Sequence, residues 1–102
     1  MKAILLSLAA VGLLATGSAH ASQALAQKNN CLSCHAVDKQ VVGPAFKAVA
    51  AKYKGDAAAA TKLAEKVKKG GSGVWGAVPM PPNPQVNDAD MKALIQWVLS
   101  QK

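Results

Sequence analysis

Apolar residues recur at helical spacing in several segments of the chain, and glycine and proline residues separate these segments. The pattern predicts a first helix over residues 22–30 and a second over residues 46–54, which Gly55 closes. The apolar face of the second helix consists of Phe46, Val49, Ala50 and Tyr53. No segment shows the alternation of apolar and polar residues that is typical of a β-strand, so the pattern predicts an all-α fold.

Two more helices are predicted toward the end of the chain. The third runs from Asp56, whose carboxylate can cap it, through Lys69, where two glycines end it. Its apolar face consists of Ala60, Leu63, Ala64 and Val67. The last helix opens at Asn87, with Asp90 in its first turn, where negative charge is favourable. Its buried face consists of Met91, Leu94, Ile95 and Val98, flanked by Trp97.

Between these two helices, residues 70–87 hold four of the five prolines. So long an irregular segment in a small domain is usually either functional or disordered. Because this one is too apolar for a plain linker, we expect it to be functional.

The first 21 residues differ in composition from the rest. A basic start at Lys2 precedes an apolar run over residues 3–15, and small residues follow it, ending in Ala19-His20-Ala21. This order is typical of a cleaved secretory signal peptide. A membrane span needs about 20 apolar residues, and polar residues interrupt this run too early. We predict a signal peptide over residues 1–21, one domain over residues 22–102, and a periplasmic protein without stable membrane insertion.

The net charge and the size of the predicted domain further restrict its possible functions. The predicted domain has eleven lysines, no arginine and five acidic residues, a formal charge of +6. The lysines are scattered and aromatic residues are few, which does not favour nucleic-acid binding. An exported protein would also be separated from nucleic acid in the cytoplasm. The hydrophobic core of a domain of this size gives only marginal stability, so such domains usually need an additional stabilising element, such as a bound cofactor.

The candidate chemistry centres on Cys31-Leu32-Ser33-Cys34-His35. Cys-x-x-Cys-His is the attachment signature of a c-type haem. On a helical turn, positions i, i+3 and i+4 share one face, so Cys31, Cys34 and His35 can address one flat group. We predict one covalently bound haem c, with two thioethers from the cysteines and His35 on the iron.

Three other interpretations of the motif remain open. A thioredoxin-like redox site needs a βαβ frame, which the pattern does not predict. A structural zinc site needs four ligands, whereas the whole chain has two cysteines and two histidines. A plain disulfide between Cys31 and Cys34 would leave His35 unexplained.

The second axial ligand of such a haem decides the function. The predicted domain has no second histidine, and its two methionines are Met80 and Met91. Met91 lies on the buried face of the last helix, whereas Met80 lies between prolines that stiffen its backbone. We predict Met80 as the sixth ligand. An iron with both His35 and Met80 bound has no position for a substrate, so we predict a one-electron carrier and not an enzyme.

Five segments together resemble a known family: Asn30–His35, Val42–Ala45, Gly73–Gly76, Pro79–Asn83 and Trp97–Lys102. With them, residues 22–102 resemble the small bacterial class I cytochromes c of the c-551/c-552 group. The resemblance implies about four helices wrapped around one haem, with the first and last helices crossing. It also implies a monomeric carrier between respiratory components such as a cytochrome bc complex and a nitrite reductase or terminal oxidase. Lysine excess would suit partners with acidic docking surfaces.

The resemblance also implies roles for residues around the haem. The carbonyl of Pro44 would accept the Nδ1 proton of His35, which would fix the ring. Trp75 would donate its indole N–H to a haem propionate. Asn83 would lie near the sulfur of the methionine ligand. Lys66 stands where the family often has an arginine, and lysine lacks the planar guanidinium fork, so propionate pairing there is an open question.

One other class of function remains to be tested. A gas-binding or sensing haem module would need a labile sixth ligand, and the prolines around Met80 argue against it. A peroxidase would want a distal histidine or arginine, and the predicted domain has neither to spare.

Overall fold

The structure, a computed structural model, describes residues 22–102; the predicted signal peptide lies outside the described residues. Residues 22–28 form helix α1. The other helices are α2 (Phe46–Lys52), α3 (Ala59–Lys69) and α4 (Asp88–Leu99), and a short 3-10 turn covers Cys31–Ser33. Residues 22–102 contain two isolated β-bridges but no strand, which confirms the predicted all-α class.

Helix α4 lies at the centre of the hydrophobic core. It packs against both α2 and α3, and its predicted buried face is buried, with Trp97 buried as well. The rest of the core comes from the other three helices and from the loop before α4: Ala26, Phe46, Val49, Leu63 and Val86. Among the helices of the described part, none is long and apolar enough to cross a membrane.

The start of α4 follows its sequence signal closely. The side-chain oxygen of Asn87 accepts a hydrogen bond from the Asp90 backbone N–H at 2.8 Å. The Asn87 amide in turn donates to the Asp90 carboxylate at 3.2 Å. The first bond satisfies one backbone donor that a helix start otherwise leaves free, and the second holds the two side chains together.

The predicted start of the second helix and the predicted end of the third are confirmed, whereas three other bounds need correction. Helix α2 ends at Lys52 and not at residue 54. Helix α3 begins at Ala59 and not at Asp56, because the Asp56 carboxylate accepts from the Ala58 N–H at 2.8 Å and caps a separate turn ahead of the helix. Helix α1 ends at residue 28, and Asn30, at φ 63°, separates it from the 3-10 turn.

Candidate functional site

The 3-10 turn places the motif residues on one short loop. The backbone N–H groups of Cys34 and His35 both donate to the Cys31 carbonyl, at 3.3 Å and 3.0 Å. Both cysteines are half-buried, and no disulfide joins them. Burial raises the pKa of the Cys31 thiol above its ordinary value.

The ring of His35 is held on two sides. Its Nδ1 lies 2.7 Å from the carbonyl oxygen of Pro44. Because a carbonyl only accepts, this contact places the proton on Nδ1 and leaves a lone pair on Nε2. The ring also stacks on Phe46 with centroids 5.1 Å apart, and Phe46 makes an edge contact with Trp97 of the core. These contacts fix the orientation of the imidazole ring in the folded protein.

Gly43 makes room for this imidazole. A Cβ atom at Gly43 would lie 2.6 Å from the Cε1 atom of His35. The Gly43 N–H also donates to the Cys34 carbonyl at 2.7 Å. A glycine at this position lets the loop carrying Pro44 close over the histidine ring.

Met80 is positioned by its backbone. Its N–H donates to the Gly71 carbonyl at 2.8 Å, and its carbonyl accepts from the Gly71 N–H at 3.0 Å. Gly70, at φ 73°, packs so closely that a Cβ atom there would overlap the Met80 carbonyl oxygen. This bridge ties the proline segment around Met80 to the residues that follow α3.

Asn83 anchors the far end of the same segment. Its backbone N–H donates to the Val67 carbonyl of α3 at 2.9 Å. Its side-chain amide donates to the carbonyls of Val67 and Pro81, at 3.3 Å and 3.0 Å. Asn83 does not belong to the wall of the cleft described next, and a contact with the methionine sulfur stays a prediction.

A single cleft brings most of the predicted site residues together. His35 and Met80 both line it, along with Cys34, Pro44, Lys66 and Trp75. Cys31 lies in the adjoining turn and Met91 is buried in the core, as predicted for a core methionine. The lining of the cleft therefore includes an imidazole, a thioether and a thiol.

The lining of the cleft suits a large, flat, apolar group. Large hydrophobic side chains are exposed at five positions among the described residues, and four of these line the cleft: Val42, Val74, Trp75 and Val78. Exposed apolar surface concentrated at one place marks a binding site. No group of three or more Cys, His, Asp and Glu side chains able to hold a metal ion occurs within residues 22–102.

Sequence reasoning missed several residues of the site. The ammonium of Lys52 lies 5.6 Å from the centre of the Trp75 ring, a pair 23 positions apart with no local sequence signal. The roles of Gly43, Gly70 and Gly71 were missed too. Glycine next to proline in Gly43-Pro44 was the one available signal, since it marks a turn.

Charges are distributed unevenly over the described surface. Three exposed ion pairs involve lysines of α3: Lys62–Asp56, Lys68–Asp88 and Lys69–Glu65. Hydrogen bonding to Lys62 lowers the pKa of Asp56, and hydrogen bonding to Lys69 lowers that of Glu65. Within the described part, the lysines beside the cleft, Lys52 and Lys66, make no such pair. Ion pairs in the described part therefore do not compensate the charges of these two lysines.

Comparisons with known proteins agree with this geometry. The family model described as Cytochrome c matches residues 19–102. The chain is 57% identical to cytochrome c-552 of Nitrosomonas europaea, over 92% of this chain and 91% of that protein. It is 51% identical to cytochrome c-551 of Pseudomonas aeruginosa, over 96% and 95%. The crystal structure of wild-type Nitrosomonas europaea cytochrome c552 has a TM-score of 0.76 at 59% identity, covering 78% of this chain and 99% of that one. A class 1 cytochrome of Sideroxydans lithotrophicus has a TM-score of 0.71 at 36% identity, covering 80% and 94%.

Proposed function

The chain belongs to the cytochrome c family, and from that premise we propose that it is a periplasmic one-electron carrier whose iron is ligated by His35 and Met80. The class I cytochrome c fold and covalently bound haem c come with the family. When bound, the haem supplies an iron that cycles between the ferrous and ferric states. The chain's own residues attach it, orient it and set its environment.

Cys31 and Cys34 are the proposed attachment points. The hydrogen bonds of the 3-10 turn hold the two thiols and His35 on one loop, which supports attachment to one macrocycle. Haem staining after denaturing gel electrophoresis, together with intact mass, should show one haem per chain. Haem that dissociates in acidified organic solvent would contradict covalent attachment.

His35 is the proposed first axial ligand. Its contact with Pro44 leaves Nε2 free to bind the iron, and its stack on Phe46 fixes the ring plane. A hydrogen bond to the second ring nitrogen raises the basicity of a ligating histidine. The protein therefore presents a single tautomer in one orientation.

Met80 is the proposed second axial ligand, and the observation that carries the proposal is that His35 and Met80 line the same cleft. With both bound, the iron has no open position, so the chain transfers electrons and does not bind a substrate. Methionine–histidine ligation raises the reduction potential. The apolar lining adds to this, because burial disfavours the extra charge of ferric iron.

The electronic and magnetic spectra of the ferric protein test this ligation. We expect a low-spin, six-coordinate iron with the absorption band of methionine ligation. A high-spin or open iron in the native protein would favour the alternative, a gas-binding or sensing module with a labile sixth ligand.

Three further side chains complete the proposed haem environment. Trp75 lines the cleft, where its indole N–H is available to a propionate. Lys66 also lines it, and its ammonium lies close to Gly71, so it can offset propionate charge without the bidentate geometry of arginine. Asn83 would act near the sulfur of Met80 through the segment it anchors.

Localisation and partners follow from the same proposal. Residues 1–21 would direct export and be removed, leaving a monomer of residues 22–102 in the periplasm. The excess of lysine suits redox partners with acidic docking surfaces. Candidates are a cytochrome bc complex as donor and a nitrite reductase or terminal oxidase as acceptor.

A further inference from the structure

Residues 72–79 form a loop, called the excursion below, that extends from the body of the protein and returns to it. The two hydrogen bonds between Gly71 and Met80 close its base, and one bond from Gly73 N–H to the Gly76 carbonyl, at 2.8 Å, lies within it. Of the hydrogen bonds and ion pairs found in residues 22–102, none joins residues 72–79 to a helix.

Glycine residues also leave the backbone of this excursion with few conformational restrictions. Gly73 and Gly76 have φ angles of 102° and 117°, in a region that glycine adopts readily and other residues rarely do. Such a backbone does not hold a large side chain in one place. Trp75, between these glycines and 45% exposed, therefore needs a contact from outside the excursion.

Lys52 supplies that contact. It is the last residue of α2, where a positive charge is favourable, and its ammonium lies 5.6 Å from the Trp75 ring centroid. This distance is within the range of a cation–π interaction. Since the cation lies over the ring, the indole N–H at the ring edge is left for a second partner.

We propose that Lys52 is a positioning residue, which ties the excursion 72–79 to α2 through Trp75 and so fixes one wall of the cleft. The proposal rests on the proposed function only in one respect, which is that the function identifies the cleft as the haem site. Because Met80 closes the base of the same excursion, loss of the tie should loosen the Gly71–Met80 bridge. A bridge that opens more often exposes its backbone amides to solvent.

Amide hydrogen exchange in the intact holoprotein measures this opening. In Lys52→Gln, exchange of the Gly71 and Met80 amides should be about two- to five-fold faster than in the wild type, the range expected for an exposed cation–π pair. Exchange of the Ile95 amide, in the core helix, should be unchanged. The variants keep His35 and both methionines, so the comparison with the wild type stays valid whichever residue is the sixth ligand.

Two variants isolate the cation–π contact from charge and folding. Lys54→Gln removes the same charge two residues later and should leave both amides at the wild-type rate. Lys52→Arg keeps a cation that stacks on aromatic rings and should restore protection. Equal rates in Lys52→Gln and the wild type would overturn the proposal, and so would equal acceleration in the Lys54 variant or no rescue by arginine.

Discussion

Met80 and Met91 are chemically identical side chains in opposite environments, one in the cleft wall and one 5% exposed in the core. Met80→Ala should open the iron to added imidazole or cyanide, because it removes the proposed ligand. Met91→Ala is the matched control: it should keep the six-coordinate spectrum and lower the free energy of unfolding by about 2–5 kcal/mol. Ligand titrations and denaturant unfolding measure the two effects. The opposite pattern would reverse the assignment.

Gly70 offers a test of how the backbone positions Met80. Gly70→Ala adds a Cβ that overlaps the Met80 carbonyl oxygen, at a φ of 73°. We expect the absorption band of methionine ligation to weaken in the ferric protein, because the proline segment must shift.

The control for this variant is Gly73→Ala. It carries a similar backbone strain at φ 102°, but a Cβ there meets nothing within 4 Å. This variant should lose about 1–3 kcal/mol of stability and keep the band. Equal weakening of the band in both variants would mean that strain, and not the overlap with Met80, is responsible.

At the scale of elements, the cap of α4 can be tested alone. Asn87→Ala removes the acceptor for the Asp90 N–H and should cost about 1 kcal/mol. For a domain of this size, that lowers the Tm by about 4–8 °C. Asn87→Ser keeps an acceptor and should melt close to the wild type. Equal losses in the two variants would show that the cap hydrogen bond is not the cause.

The helices show why some elements can be predicted from sequence and others cannot. For α4, the capping residue, the negative charge in the first turn and the buried face all predict the same helix, and the structure matches this prediction. For α3, the Asp56 carboxylate serves either a helix or a separate turn, and the sequence does not distinguish these. The site divides in the same way. The motif at Cys31–His35 is local, whereas the Gly71–Met80 bridge and the Lys52–Trp75 contact depend on how distant segments meet.

At the scale of the whole molecule, haem should be part of the core. The cleft walls contribute apolar surface that only a bound group can bury, and a domain of this size is marginal without an additional stabilising element. Residues 22–102 without haem should therefore be largely unfolded at neutral pH, by circular dichroism and by the dispersion of NMR resonances. A cooperative, well-dispersed apoprotein would contradict this expectation.

Electron transfer should depend on salt if lysines guide docking. The Debye length falls from ~30 Å at 0.01 M to ~10 Å at 0.1 M salt, so the attraction between the basic carrier and an acidic partner weakens. The second-order rate of electron transfer to a physiological acceptor, measured by stopped flow, should then fall as salt rises. A rate independent of salt would mean that docking is apolar, through the surface around Val42 and Pro44.

Before haem is attached, the apolar side chains of the cleft face solvent. An unfolded chain exposes all of them, and even in the folded chain Val42, Val74, Trp75 and Val78 are 45% to 65% exposed. Exposed apolar surface of this kind promotes aggregation. Aggregation is second order in the concentration of unloaded chains, whereas haem attachment is first order in them. Overproduction without a matching supply of haem should therefore shift newly made chains toward aggregates, so the yield of the protein should follow the supply of haem.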